Sequence, residues 1–246
     1  MSLSMVKISA GNYDLNKWLH GGYETDIVNV IYGGAGSGKT NFCLMAAVSQ
    51  AKKGNKIIYI DSEGGFSVER VKQLFGKVNG DSGQSGKLDL NKALENILLL
   101  KPTNFLEQKK EFDKLAKNLK EEASMIIVDS LTIHYRLDLA DAREKVNDKF
   151  GEIQKINSEL ARQVGILAEI ARKKEISVIV TNQTYNWEDE KKMVGGDILK
   201  YWGKCLIELV NEKGHRTAYL RKHRSLAEKS LSFIIYDGGI RKKGWI

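Results

Sequence analysis

The chain has 246 residues, a net charge of +8, one proline and two cysteines. That length is enough for one sizeable core, and no Pro- or Gly-rich stretch reads as an interdomain linker. No apolar run approaches the roughly 18 residues that span a bilayer, no charged-then-apolar leader opens the sequence, and Cys43 and Cys205 stand far apart in apolar stretches, so a membrane span, a secretory signal and a disulfide framework are excluded. One soluble, cytoplasmic domain over 5–246 is expected, with Met1-Ser2-Leu3-Ser4 ahead of Met5 read as a cloning scar.

In chain order, the first strong element is the apolar strand Ile27 to Tyr32. The run Gly33-Gly34-Ala35-Gly36-Ser37-Gly38-Lys39-Thr40 follows it, and a helix from Asn41 to Gln50 comes next. Strand, glycine-rich loop and helix in that order, with G-x-x-x-x-G-K-[ST] filled at every fixed position, form a phosphate-binding P-loop. The glycines let backbone N–H groups turn inward around a phosphate at a helix N-terminus. Lys39 adds a cation, and Thr40 offers a hydroxyl to Mg²⁺. Gly33 to Thr40, with Asn41, are therefore expected to hold ATP.

Lys56 to Glu63 reads as a buried strand ending in carboxylates. Hydrolysis of ATP needs a carboxylate to orient a water behind the γ-phosphate, and Glu63 is the candidate. Asp61 competes with it, although the alternation of a strand points it to the other face. A helix from Val68 to Phe75 and a loop from Gly76 to Gly86 are expected next. The strand Ile97 to Leu100 stops before Pro102, and the pair Asn104 and Glu107 caps an amphipathic helix from Phe105 to Leu119.

Met125-Ile126-Ile127-Val128-Asp129-Ser130 is a buried strand with an acid at its tip, the Walker B form, and Asp129 is expected to support Mg²⁺. A long helix carries Ile153, Ile156, Leu160, Val164, Leu167 and Ile170 on one face. Ile176 to Thr181 is another buried strand, ending in Asn182-Gln183. Three strands close the chain, at Cys205 to Val210, Arg216 to Leu220 and Leu231 to Ile235. Strands and helices alternate first, and strand follows strand at the end. The fold class implied is an α/β, P-loop NTPase core with a mostly parallel central sheet, helices on both faces and an antiparallel C-terminal edge. The histidines are isolated, and no zinc site is expected.

The charge is concentrated. Residues 213–243 hold nine Lys or Arg against two acids, a local charge of +7, which is the footprint of a polyanion binder. DNA is expected along it, with phosphate contacts from Arg221, Lys222, Arg224, Arg241, Lys242 and Lys243.

Ile58-Tyr59-Ile60-Asp61-Ser62-Glu63-Gly64-Gly65-Phe66, Ile126-Ile127-Val128-Asp129-Ser130 and Val178-Ile179-Val180-Thr181-Asn182-Gln183 resemble the RecA superfamily of recombination ATPases, in order and spacing, from about Ser9 to Ile240. Within it, Leu15-Asn16-Lys17-Trp18-Leu19-His20-Gly21-Gly22-Tyr23, Val194-Gly195-Gly196-Asp197 with Tyr201-Trp202, and Lys222-His223-Arg224-Ser225 look most like the archaeal RadB group of RadA paralogues. The resemblance implies a RecA-like ATPase core in which Lys39 and Thr40 bind phosphate and Mg²⁺, Glu63 acts on water, Asp129 supports the metal and Gln183 reports the γ-phosphate to a DNA-binding loop. The DNA-facing segments would be Arg136 to Asp148 and Tyr185 to Met193, the latter mixing acids and lysines, with Tyr185 and Trp187 able to stack on bases. Lys222-His223-Arg224 resembles a Lys-x-Arg finger that reaches a neighbour's γ-phosphate. The Phe-x-x-Ala plug of RadA occurs nowhere in the chain, which implies a monomer or small oligomer and no long filament. The function expected is an ATP- and DNA-binding accessory of recombination with slow Mg²⁺-dependent hydrolysis, partnered by DNA and by a RadA-type recombinase or other repair proteins. The alternative is a KaiC-like regulatory ATPase acting on proteins.

Overall fold

A computed structural model describes residues 6–79, 84–118, 123–144, 149–187 and 190–244, with backbone only at 77–79, 84–89, 118, 186–187 and 190–191. The chain opens with β1 (Lys7–Ile8), α1 (Tyr13–Trp18) and β2 (Tyr23–Glu24), in which β1 and β2 pair as an antiparallel ribbon. Then come β3 (Val28–Gly33), α2 (Lys39–Ala51), β4 (Lys56–Asp61), α3 (Val68–Asn79), α4 (Gln84–Glu95) and β5 (Ile97–Leu100). The middle holds α5 (Phe105–Asn118), β6 (Ala123–Asp129), α6 (Ile133–Glu144), α7 (Lys149–Lys174) and β7 (Ser177–Trp187). The last third holds β8 (Glu190–Met193), α8 (Gly196–Trp202), β9 (Cys205–Glu212), β10 (His215–Lys222), β11 (Lys229–Tyr236) and β12 (Gly239–Lys242).

One sheet carries the fold, in the order β12-β11-β10-β9-β3-β7-β6-β4-β5, with β8 folded back on β7. β9 through β5 run parallel, and β10, β11 and β12 are antiparallel, as the switch from alternating elements to consecutive strands predicts. The unbroken apolar runs of the central strands are explained by two cores. In β6, Met125 and Ile127 face the layer of α1 to α4, while Ile126 and Val128 face the layer of α5 to α8. A strand buried on both faces has no polar side to alternate with. The outer edge of β12 is closed by α1: Asn12 Nδ2 donates to Ile240 O at 2.6 Å, and the Lys242 N–H donates to Asp14 Oδ2 at 2.7 Å, which blunts pairing with another strand.

Several expectations are revised. Of the loop expected from Gly76 to Gly86, the described residues are helical, α3 continuing to Asn79 and α4 beginning at Gln84, while 80–83 lie outside the described residues. Buried Ala93, with half-buried Leu90 and Leu94, packs on the core under α2, so tertiary burial overrides the Gly and Ser content. The strand expected to end at Thr181 runs on to Trp187 and turns back as β8. The segment from Arg136 is not a loop but α6 as far as Glu144, and 145–148 lie outside the described residues, as do 1–5 and Leu119. The cap of α5 forms with one change: Asn104 Oδ1 accepts the Glu107 N–H at 2.9 Å, while Glu107 reaches back to the N–H of Thr103. Among the described residues no helix is long and apolar enough to cross a membrane.

Candidate functional site

β3, β7, β6 and β4 are neighbours in the sheet and parallel, so their C-terminal tips form one row. Gly33 pairs in register with Gln183, and Asp61 with Asp129. Ligands in open α/β sheets gather outside the carboxyl ends of the strands, and every catalytic candidate of the sequence lies there.

The P-loop leaves β3 at Gly33, where a Cβ would stand 2.2 Å from the carbonyl oxygen of Leu209 on β9, so no side chain fits. Gly38, at φ +109°, is the N-cap of α2 and supplies no side-chain cap, leaving first-turn N–H groups for an anion. Lys39 is 8% exposed, and its Nζ donates to Gly33 O and Gly34 O at 3.0 Å each. Burial lowers its pKa, opposed by Glu63 and Asp129. The buried Ser37 hydroxyl has no hydrogen-bond partner among the described residues.

Asp129 is 2% exposed and accepts from Thr181 Oγ1 at 2.5 Å and from the Tyr59 hydroxyl at 3.0 Å. Burial pushes its carboxyl up, and hydrogen bonds from Thr181, Thr40 and Tyr59 pull it back. Thr40 and Asp129, the two residues expected to hold Mg²⁺, thus lie near enough for the threonine to pull the Asp129 carboxyl down. Glu63 is exposed and accepts from Gln183 Nε2 at 2.8 Å. Asp61, its competitor, is 3% exposed and caps the following turn, accepting the N–H groups of Gly65 and Phe66 at 2.9 and 3.0 Å.

Asn41 Oδ1 accepts from Arg70 Nε and Nη2 at 3.0 and 2.6 Å. Arg70 also donates to the carbonyls of Tyr236 and Asp237, tying the P-loop helix to the β11–β12 turn. Arg70 was not foreseen, and nothing local marks it, because its partners lie about 29 and 166 residues away in sequence. An unpartnered Ser37 hydroxyl, an uncapped helix start, a buried lysine and a buried carboxylate with a threonine fit a nucleotide phosphate chain with a divalent ion. Among the described residues no cluster of three or more His, Cys, Asp or Glu offers another metal site.

The basic residues divide. Arg221 pairs with Glu208 at 2.7 Å and lies over the Tyr219 ring, Lys222 Nζ donates to Lys200 O and Gly203 O, and Arg224 is held by Glu24 at 2.8 Å and Asp26 at 2.7 Å. These three, the finger residues included, are committed inside the chain. Arg241 and Lys242 are exposed, and Lys243 contacts His215 Nδ1 at 2.8 Å. The backbone of Trp187 ends β7, and its side chain lies outside the described ones. Tyr135, Arg136 and Arg143 of α6 share a cavity of about 550 Å³ with Tyr185 of β7 and the turn at Val194 and Gly195. The two segments assigned to DNA by resemblance therefore face one cleft.

Comparison with known proteins agrees with this fold. Residues 2–243 match the Rad51 family. The chain is 37% identical to the DNA repair and recombination protein RadB of Methanobrevibacter smithii, over 93% of each chain. It is 35% identical to RadB of Methanocaldococcus jannaschii, over 92% of this chain and 98% of that one. The crystal structure of the RadB recombinase superposes with a TM-score of 0.74 at 31% identity, covering 96% of this chain and all of the other. The chain belongs to the Rad51 family, as a RadB-type member of its DNA repair and recombination proteins.

Proposed function

We propose that the protein is an ATP- and DNA-binding accessory of homologous recombination that hydrolyses ATP slowly with Mg²⁺. The observation that carries this reading is the 2.8 Å bond from Gln183 to Glu63. It joins the carboxylate that would orient water to the strand that leads into the DNA-facing cleft. Lys39 and the N-terminus of α2 bind the phosphates, while Thr40 and Asp129 hold the metal. Mg²⁺ supplies charge neutralisation on the phosphate oxygens. Glu63 orients and accepts a proton from water once Gln183 releases it, so an amide resting on the carboxylate supports slow turnover without DNA.

DNA contacts are proposed for Arg136, Arg143 and Tyr185 in the cleft and for Arg241, Lys242 and Lys243 on β12 and just beyond it. Arg221, Lys222 and Arg224, which already have partners within the chain, stand behind these residues in the proposal. The test measures ATP binding and hydrolysis on one sample, with and without single-stranded DNA. Lys39→Ala is expected to lose most nucleotide affinity. Glu63→Gln is expected to keep affinity and lose turnover by about 10²-fold or more. Wild-type hydrolysis by Glu63→Gln would take the water-orienting role away from this residue.

A further inference from the structure

Arg216 belongs to the basic segment, yet it lies at the P-loop. Its Nε and Nη2 both stand 3.4 Å from the carbonyl oxygen of Gly36, and Asn211 Nδ2 stands 3.4 Å from the same atom. Asn211 and Arg216 are direct cross-strand partners at the tip of the β9–β10 hairpin. Two donors from one hairpin pair therefore converge on a single loop carbonyl. β9 reaches that far because it pairs with β3 up to Gly33, whose register partner is Leu209.

We infer that Arg216, with Asn211, is a positioning residue of the nucleotide site: by holding the Gly36 carbonyl outward it turns the Ser37 N–H into the P-loop. A trans peptide is planar, and its C=O and N–H point in opposite directions. Fixing the oxygen on the outer side therefore fixes the hydrogen on the opposite one, where the Ser37 N–H donates across the loop to Gly34 O with N and O 3.4 Å apart. The loop needs such a brace here. Gly36 lies at φ +68°, a region glycine visits freely, and a Cβ on it would meet nothing within 4 Å, so the long Ser37–Gly34 bond holds this peptide from one side and the hairpin donors hold it from the other. Lys39 binds the carbonyls of Gly33 and Gly34, and the hairpin binds that of Gly36, so the loop is gripped by cations at both ends. Nη1 of Arg216 makes no bond within the described residues.

This inference rests on the reading of the P-loop as an ATP site, and Lys39→Ala separates the two. Mg·ATP affinity is measured by calorimetry for Arg216→Ala, Arg216→Gln, Asn211→Ala and Lys39→Ala, with single-stranded DNA affinity and a thermal melt beside each. Arg216→Ala is expected to weaken ATP binding about fivefold to tenfold, the low end for a stretched charge-assisted bond, and to change affinity more than kcat. Arg216→Gln keeps a donor for Gly36 O and is expected to recover part of the loss. Asn211→Ala removes the second donor without changing charge, is expected to weaken ATP binding by a smaller factor, and serves if the arginine variants fold poorly. DNA affinity is expected to stay at the wild-type value in Arg216→Ala. Wild-type ATP affinity in Arg216→Ala and Asn211→Ala, beside a loss in Lys39→Ala, would overturn the inference. Arg216→Gln as weak as Arg216→Ala would also overturn it, since charge alone would then account for the effect. Unchanged ATP affinity in Lys39→Ala would instead sink the nucleotide reading itself.

Discussion

Asp61 and Glu63 stand two residues apart, and the backbone alone separates their work. The carboxylate of Asp61 is 3% exposed, and both its oxygens accept N–H groups of the turn that carries Glu63 outward. Asp61→Ala would leave two N–H groups without partners at the mouth of the site, at about 1–3 kcal/mol if they stay dry. The expected result is a lowered urea midpoint and reduced turnover with ATP affinity retained. That combination contrasts with Glu63→Gln, for which only turnover should fall. If Asp61→Ala unfolds at the wild-type midpoint, the capping role of Asp61 is wrong.

At the scale of elements, the loop between β10 and β11 is docked on β2 by a buried ionic cluster. Glu24 is 1% exposed and faces Arg224, Ser225 and His223, the last with Nε2 at 3.5 Å and a side chain 1% exposed. Burial pushes the His223 pKa below 6.5, with Lys7, Arg224 and Lys229 acting the same way and Glu24 opposing. A depressed folded pKa means that the unfolded chain takes up the proton first. The part of this docking that His223 contributes is therefore complete above the ordinary histidine value and is lost as pH falls through the lowered one. As pH falls below the ordinary histidine value of about 6.5, the thermal midpoint of wild type should fall more steeply than that of His223→Asn, whose side chain does not titrate. Parallel curves for the two proteins would show that His223 does not report this docking.

For the molecule as a whole, the charge of the segment 213–243 does not act as one patch. Arg216 lies at the P-loop, and Arg221, Lys222 and Arg224 are spent on neighbouring groups, while Arg241 and Lys242 stay exposed on the last strand. Replacing Arg241, Lys242 and Lys243 by Ala should weaken single-stranded DNA binding uniformly across sequences and flatten the log K against log salt slope by about 0.7 for each phosphate no longer neutralised. Unaltered affinity and slope would move the DNA path wholly to the cleft of Arg136, Arg143 and Tyr185.

The sequence by itself determined the parts whose physics is local. Glycine spacing with Lys39 and Thr40 specified the P-loop, unbroken apolar runs specified strands buried on both faces, and the change from alternating elements to consecutive strands specified where the sheet turns antiparallel. Family resemblance pointed to Gln183, and the fold places its amide against Glu63, 120 residues away in sequence. Tertiary structure alone decided which charges are free. Composition counts Arg216, Arg221, Arg224 and Arg241 as equal cations, but whether a guanidinium meets a carboxylate, a loop carbonyl or solvent depends on strands brought together from distant parts of the chain. It alone showed that Arg70 clasps the P-loop helix and that Gln84 to Glu95 is a helix, because the interactions that stabilise both are made with residues no sequence window contains.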